Sequence, residues 1–198
     1  MKNVLLISGL VLTTIFCQSP KQIKEPVIIT KAEWGGKPPT GEKEPQTITH
    51  ITIHHAGEIM AEDRDPKEAM RALQRFSIED KNWIDIPYHY CIDLNGNIYE
   101  ARPVEYAGDT NTEYDPTGHA LIEVMGNYEV QKIRPAQIDA IVELSAWLAQ
   151  KYDVPVSNIA THKDYSSQTV CPGKDLYKYF QDSTIVKRVD KMLGNTSN

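Results

Sequence analysis

The chain has 198 residues, 40% of them apolar and 24% charged, and carries a formal net charge of −6. That is room for one domain with a real core, and not comfortably for two, in a chain of soluble globular composition. The acidic balance, with no basic patch, argues against nucleic acid and against a lipid surface held by basic residues, and a monomer is the expected state.

Lys2 precedes an apolar run from Val4 to Phe16. A helix of that length spans roughly 20 Å, short of the ~30 Å hydrocarbon core of a bilayer. Residues 1–16 therefore read as an export signal and not as a membrane span. Cys17 follows at once, and Thr14–Ile15–Phe16–Cys17 resembles the lipid-attachment box of bacterial lipoproteins. Phe16 departs from that pattern, which has a small residue there. The expectation is lipid attachment at Cys17 and a tether over residues 17–27, the only link to a membrane. Cleavage after Ser19, with Cys17 lost, is the alternative.

Gly35 to Pro45 is rich in glycine and proline and is expected to be irregular. Thr47 to His55 alternates as a strand. Asp65–Pro66 opens a helix with a cap and a first-turn proline, and Ala69, Met70, Leu73 and Phe76 form its expected buried stripe. Tyr88–Leu94 and Ile98–Ala101 flank Asn95–Gly96, a hairpin signal. Ala120–Met125 reads as a strand ended by Gly126–Asn127. From Pro135, Ile138, Ile141, Val142, Ser145, Leu148, Ala149 and Tyr152 recur at helical spacing, and a last helix carries Ile185, Val186, Val189, Met192 and Leu193. The fold class is α/β: one domain over residues 28–193, with a central mixed β-sheet flanked by helices, then a disordered tail over 194–198.

His162 and Cys171 lie nine positions apart, joined by a polar segment without helical periodicity. Imidazole and thiolate are the best zinc ligands among side chains. A third donor stands at the end of the first strand, in Ile53–His54–His55. Neighbours on a strand point to opposite faces, so only one of the two histidines can join the others. Three protein ligands leave one coordination position open, as in a catalytic and not a structural Zn2+ site. Cys91 reads as a buried inert thiol; a Cys91–Cys171 disulfide is the competing reading and would destroy the zinc site. His50, His89 and His119 have no ligand spacing and are expected to be packed or superficial. Asp164 either orients His162 or caps a turn. The chain has no His–Glu–x–x–His motif.

These residues sit among landmarks that occur in a fixed order: Ala32–Glu33–Trp34–Gly35 with Pro38–Pro39, Ile53–His54–His55, Trp83 to Tyr90, Gly96 with Ile98 to Arg102, Met125–Gly126–Asn127–Tyr128, and His162 with Cys171–Pro172–Gly173. In this order they resemble the zinc N-acetylmuramoyl-L-alanine amidases, the family of phage amidase-lysozymes and peptidoglycan recognition proteins, from about Ile29 to Leu176. The resemblance implies that His54 is the strand ligand, with His162 and Cys171, and that His55 is packed against backbone. It implies catalytic roles for Tyr88, beside the metal, and for Thr169, as a donor to the oxyanion. The segment between His162 and Cys171 is one residue longer than the family pattern, within Ser166–Ser167–Gln168. Glu100 and Arg102 are expected in the groove wall or in an ion pair. The implied reaction is hydrolysis of the amide joining N-acetylmuramic acid to L-alanine, with peptidoglycan or muropeptides as partner, in the periplasm of a bacterial envelope. A muropeptide-binding lipoprotein that does not cut, and a zinc scaffold without a groove, are the rival readings.

Overall fold

The computed structural model describes residues 22–194. The export signal, Cys17 and residues 195–198 lie outside them. Among the described residues six strands form one sheet in the order β1 (Ile28–Ile29), β4 (Ile98–Glu100), β3 (Tyr90–Ile92), β5 (His119–Val124), β2 (His50–His55) and β6 (Ile159–Thr161). All neighbours are parallel except β3 and β4, the arms of the expected hairpin. The mixed sheet flanked by helices is the fold class read from the sequence.

The hairpin turns on Asp93, whose carboxylate accepts the backbone N–H groups of Asn95 and Asn97, each at 2.9 Å. Gly96 adopts φ +82°, and a Cβ there would meet the Ala136 carbonyl oxygen at 2.6 Å. Left-handed backbone and close approach both demand glycine.

Strand alternation divides the core in two. Ile51, Ile53, Tyr90, Ile92, Ile98, Ala120, Ile122 and Val124 point to one face and pack with α2 (Pro135–Tyr152), on which α5 (Thr184–Met192) packs in turn. Eleven residues of α2 are buried, so this helix lies deep, and it ends at Asp153 in the left-handed conformation. The opposite face carries Cys91 and Tyr99, which join Trp34, Met60, Met70 and Ile86 under α1 (Pro66–Glu79). Asp65 caps α1 by accepting the Lys67 N–H at 2.9 Å.

Phe76 departs from the expected stripe of α1. It is 47% exposed, and Gln74 and Ser77 are buried in its place. Gln74 reaches Asp85 and the Lys37 backbone, and so satisfies a buried loop rather than an apolar face. Residues 35–45 are irregular, as expected. Ile23, inside the stretch expected as a tether, already belongs to the first core, and its N–H donates to Gln150 at 2.6 Å. The short elements β1, β6 and α4 (Lys174–Gln181) are among those with no counterpart in the sequence pattern.

Candidate active site

The residues of the second sheet face become polar as the strands run on. His50, Thr52 and His54 of β2 lie beside His119, Leu121 and Glu123 of β5, rung for rung. Their neighbours Ile51, Ile53, Ala120 and Ile122 are in the core on the other side. This settles which histidine of the pair faces the site. His54 shares the polar face, whereas His55 turns away and its Nδ1 accepts the Tyr128 N–H at 3.2 Å.

β6 brings in the second donor. Thr161 pairs with Ile53, so His162 leaves the sheet beside His54. The two imidazole rings stand 4.6 Å apart. The segment after His162 was expected to be loop throughout. Its first four residues instead form a single helical turn, α3 (His162–Tyr165), held by a capping box in which Asp164 accepts the Thr161 N–H at 2.8 Å and hydroxyl at 2.7 Å. One turn is too short to leave a periodicity in sequence. Asp164 is thus a cap, of the two roles considered, and it also accepts the Tyr177 hydroxyl at 3.0 Å.

The chain then returns to Cys171, whose Sγ accepts the His55 N–H at 3.3 Å. Just beyond, Gly173 has φ +85°, and a Cβ there would lie 2.5 Å from the Tyr128 carbonyl carbon. Only glycine lets this turn seat against the Tyr128 backbone and aim the cysteine inward. Both described cysteines are free thiols, so the alternative disulfide is not formed.

One ligand atom from each of His54, His162 and Cys171 lies within 4.8 Å of the others, and all three residues are buried. His54 Nδ1 is 3.7 Å from Cys171 Sγ. Tetrahedral zinc with its ordinary bond lengths separates a nitrogen and a sulfur ligand by about 3.5 Å, so the residues present fit the ion. Their electrostatics agree. Burial holds the His54 imidazole well below its usual pKa, with His162 adding to the effect, and burial lowers His162 too. Both rings are therefore neutral, as ligands must be. Burial pushes the Cys171 thiol up to about 12, partly countered by the His55 N–H. That sulfur becomes a thiolate only when a cation compensates for its burial.

The two expected catalytic side chains fall differently. The Tyr88 ring is 5.1 Å from that of His54, on a loop that precedes β3 and not on a central strand. Burial raises its phenol well above the usual value, and Glu123 and Cys171 add to this, so Tyr88 is a hydrogen-bond donor at neutral pH. The Thr169 hydroxyl accepts the Cys171 N–H at 3.1 Å and thereby shapes the approach to the ligand.

Glu123 was not among the residues singled out. It pairs with His54 across β2 and β5, is buried, and accepts a hydrogen bond from the Cys91 thiol. Burial lifts its carboxyl to about 7, so it exchanges a proton near neutrality. A lone carboxylate within the apolar run Ala120–Met125 was the available signal. Beside it opens a cavity of about 290 Å³ between α1 and the ends of β2 and β5, lined by Ala56, Met60, Arg64, Leu73, Phe76 and Glu123. The exposure of Phe76 now has a reason, since it lines this cavity. Arg102 is fully buried and binds the backbone oxygens of Asp85 and Ile86 and the Asp109 carboxylate, while Glu100 accepts the Lys31 N–H. Arg102 therefore makes an ion pair, with Asp109 and not with Glu100. His50 and His119 stack at 4.6 Å, and His89 is packed with both ring nitrogens bonded to backbone.

The model of the family described as N-acetylmuramoyl-L-alanine amidase (Amidase_2) matches residues 44–174. Peptidoglycan-recognition protein SD of Drosophila simulans is 33% identical over 162 residues, spanning 78% of this chain and 84% of that protein. Among solved structures, the ectodomain complex of peptidoglycan recognition proteins LCa and LCx with bound tracheal cytotoxin aligns with a TM-score of 0.70 and 26% identity, over 79% of this chain and 95% of that one. The N-acetylmuramoyl-L-alanine amidase LysC of Clostridium intestinale shares the fold, with a TM-score of 0.66 and 21% identity over 81% and 98% of the two chains. With a polar sheet face that gathers two imidazoles and a thiol, and with the family model covering that whole region, this chain belongs to the N-acetylmuramoyl-L-alanine amidase family.

Proposed function

We propose that this protein is a zinc-dependent N-acetylmuramoyl-L-alanine amidase that is exported and lipid-anchored at Cys17 in the bacterial periplasm, where it acts on peptidoglycan or muropeptides. The observation that carries the reading is the complete donor set His54, His162 and Cys171, with the buried carboxyl of Glu123 paired to His54 across the strands and lining the cavity under α1. His54, His162 and Cys171 would hold the zinc ion, which when bound would supply Lewis acidity toward the carbonyl and the water. The water oxygen bonds to the lactyl carbonyl carbon, the C–N bond breaks, and the products are a muramic acid carboxylate and a stem peptide with a free L-alanine amine.

The chain's own residues handle the protons and the charge. Glu123, poised at about 7, takes the proton from the attacking water and returns it to the departing amine. Tyr88, kept protonated, donates to the scissile amide and orients it. Thr169 donates a hydrogen bond from its hydroxyl to the tetrahedral oxyanion and keeps its proton, its oxygen being held by the Cys171 N–H. The cavity under α1 receives the stem peptide, its apolar wall against the peptide's side chains and Arg64 at its edge.

The test is release of free stem peptides from purified cell wall by the zinc-loaded protein. Release that disappears in Cys171→Ser supports the amidase. Muropeptide binding without release by protein that holds stoichiometric zinc would replace it with the binding-module reading. Incorporation of labelled fatty acid, lost in Cys17→Ser, tests the anchor.

A further inference from the structure

The two imidazole ligands have outer nitrogens, and neither is left to solvent. Thr112 Oγ1 lies 2.7 Å from His162 Nε2, and the Tyr114 hydroxyl lies 3.3 Å from His54 Nε2. Both come from one stretch, residues 109–117, which has no regular secondary structure and no place in the sheet or helices. We propose that this stretch is a positioning strap for the metal ligands, Thr112 holding His162 and Tyr114 holding His54. The inference rests on the zinc reading above.

The strap is tied to the rest of the chain at Asp109 and Glu113 and braced within itself between Thr110 and Thr112. Asp109 accepts from buried Arg102 and, at 2.7 Å, from Lys43. Thr110 Oγ1 accepts the Thr112 N–H at 3.1 Å and lies 2.9 Å from the Thr112 hydroxyl. Glu113 accepts the Ser166 hydroxyl at 2.6 Å, which clamps the strap to the segment that carries His162 and Cys171. Tyr114 is further wedged by its ring, stacked on Tyr165 at 5.8 Å and edge-on to His119 at 5.6 Å.

The chemistry follows from the two nitrogens of each ring. His54 presents Nδ1 to Cys171, so its proton belongs on Nε2, where Tyr114 can accept it. With Nε2 of His162 engaged by Thr112, Nδ1 is the nitrogen available to a metal. The Thr112 hydroxyl accepts from His162 and donates on to Thr110, a chain that uses both the donor and the acceptor of Thr112. Each imidazole is thereby fixed in one tautomer and one ring orientation before any ion arrives. Neutral hydroxyl acceptors achieve this without adding negative charge, so the cationic character of a zinc site with a single thiolate is retained.

Zinc dissociation into a chromogenic chelator, together with the ring N–H resonances of 15N-labelled histidine, tests the strap. Thr112→Val should release zinc about tenfold faster than the parent, with Thr112→Ser restoring the rate. It should move the His162 Nε2–H resonance and leave that of His54 in place. Tyr114→Phe should act in the reverse sense, moving the His54 resonance, with a smaller gain in release rate because its contact is longer. An unchanged release rate in Thr112→Val, or no recovery in Thr112→Ser, overturns the proposal. Should Thr112→Val fail to fold, Tyr114→Phe decides alone, and an unmoved His54 resonance sinks the strap. A parent protein that takes up no stoichiometric zinc brings down the metal reading and this inference together; zinc uptake with strap-independent release brings down the strap only.

Discussion

The two faces of one sheet have opposite designs. Toward α2 and α5, β2 and β5 present Ile51, Ile53, Ala120, Ile122 and Val124, an apolar surface closed by a helix buried along most of its length. Toward α1, the same strands present Thr52, His54, His119 and Glu123, buried groups that are costly to desolvate. Each of these polar groups has a partner: Thr52 with His119, His54 with Tyr114, and Glu123 with Cys91. Adjacent residues of one strand thus divide the labour, one side supplying stability and the other chemistry. The functional face is tolerated because the opposite face contributes the apolar burial that folding requires.

That division can be broken from either side. The largest effect is expected on the chemical face. Glu123→Gln should lower the rate of stem-peptide release by about 10²–10⁴-fold while zinc content stays stoichiometric, and the limb of the pH–rate profile near 7 should vanish with it. Loss of zinc in this variant would mean that Glu123 supports the metal ligands and not the proton transfer.

On the apolar face, Ile53→Ala should cost about 2–5 kcal/mol of stability by cavity formation, read as a drop in the urea midpoint. The protein that remains folded should keep its zinc and its turnover. Equal damage to turnover would mean that the two faces are not separable.

The histidines give a third test, on zinc-free protein so that metal loss plays no part. Burial holds His89 and His119 at about 4. Between the unfolded value near 6.5 and 4, the unfolded chain binds protons at these two residues that the folded chain does not, so their contribution should be full above pH 6.5 and be lost as pH falls through that window, levelling off below 4, while Glu123, raised to about 7, works in the opposite sense between 4.5 and 7. The loss should be on the order of 3 kcal/mol for each residue. For His89 the mechanism is visible: its Nδ1 accepts the Leu121 N–H at 2.8 Å, and a proton there removes the bond. His89→Gln should flatten the profile; an unchanged slope would show that other groups carry the acid sensitivity.

The smallest change is expected from Phe76→Ala. The ring lies at the cavity and is 47% exposed, so stability should shift by less than about 1 kcal/mol, while KM for a muropeptide rises severalfold and kcat holds. A variant that loses stability instead would return Phe76 to the core.

Much of this was legible in the chain alone. The alternation of Ile51, Thr52, Ile53 and His54 specified a two-faced strand, because side chains on a strand alternate strictly. The run from Pro135 to Tyr152 declared a helix by its spacing. His162 and Cys171 stood out because few residue pairs bind zinc and their spacing suits a turn. Other features depended on contacts between segments distant in sequence. Phe76 has the hydrophobicity of a core residue, and only the cavity beside it explains its exposure. β1, β6 and α3 are too short to leave a pattern, and they form because neighbours supply their hydrogen bonds and caps. Thr112 and Tyr114 belong to an irregular stretch whose sequence carries no sign that it closes over two histidines about 50 and 60 residues away.

By itself, then, the sequence determined which residues are chemically able to hold a metal and which segments must be strands or helices, since donor atoms and periodicity are local properties. The tertiary structure alone decided which histidine of the pair turns toward the others, that Glu123 is buried until its proton becomes labile, and what secures the ligands from behind. Those outcomes depend on desolvation and on packing between parts of the chain far apart in sequence, and neither is written in any one of them.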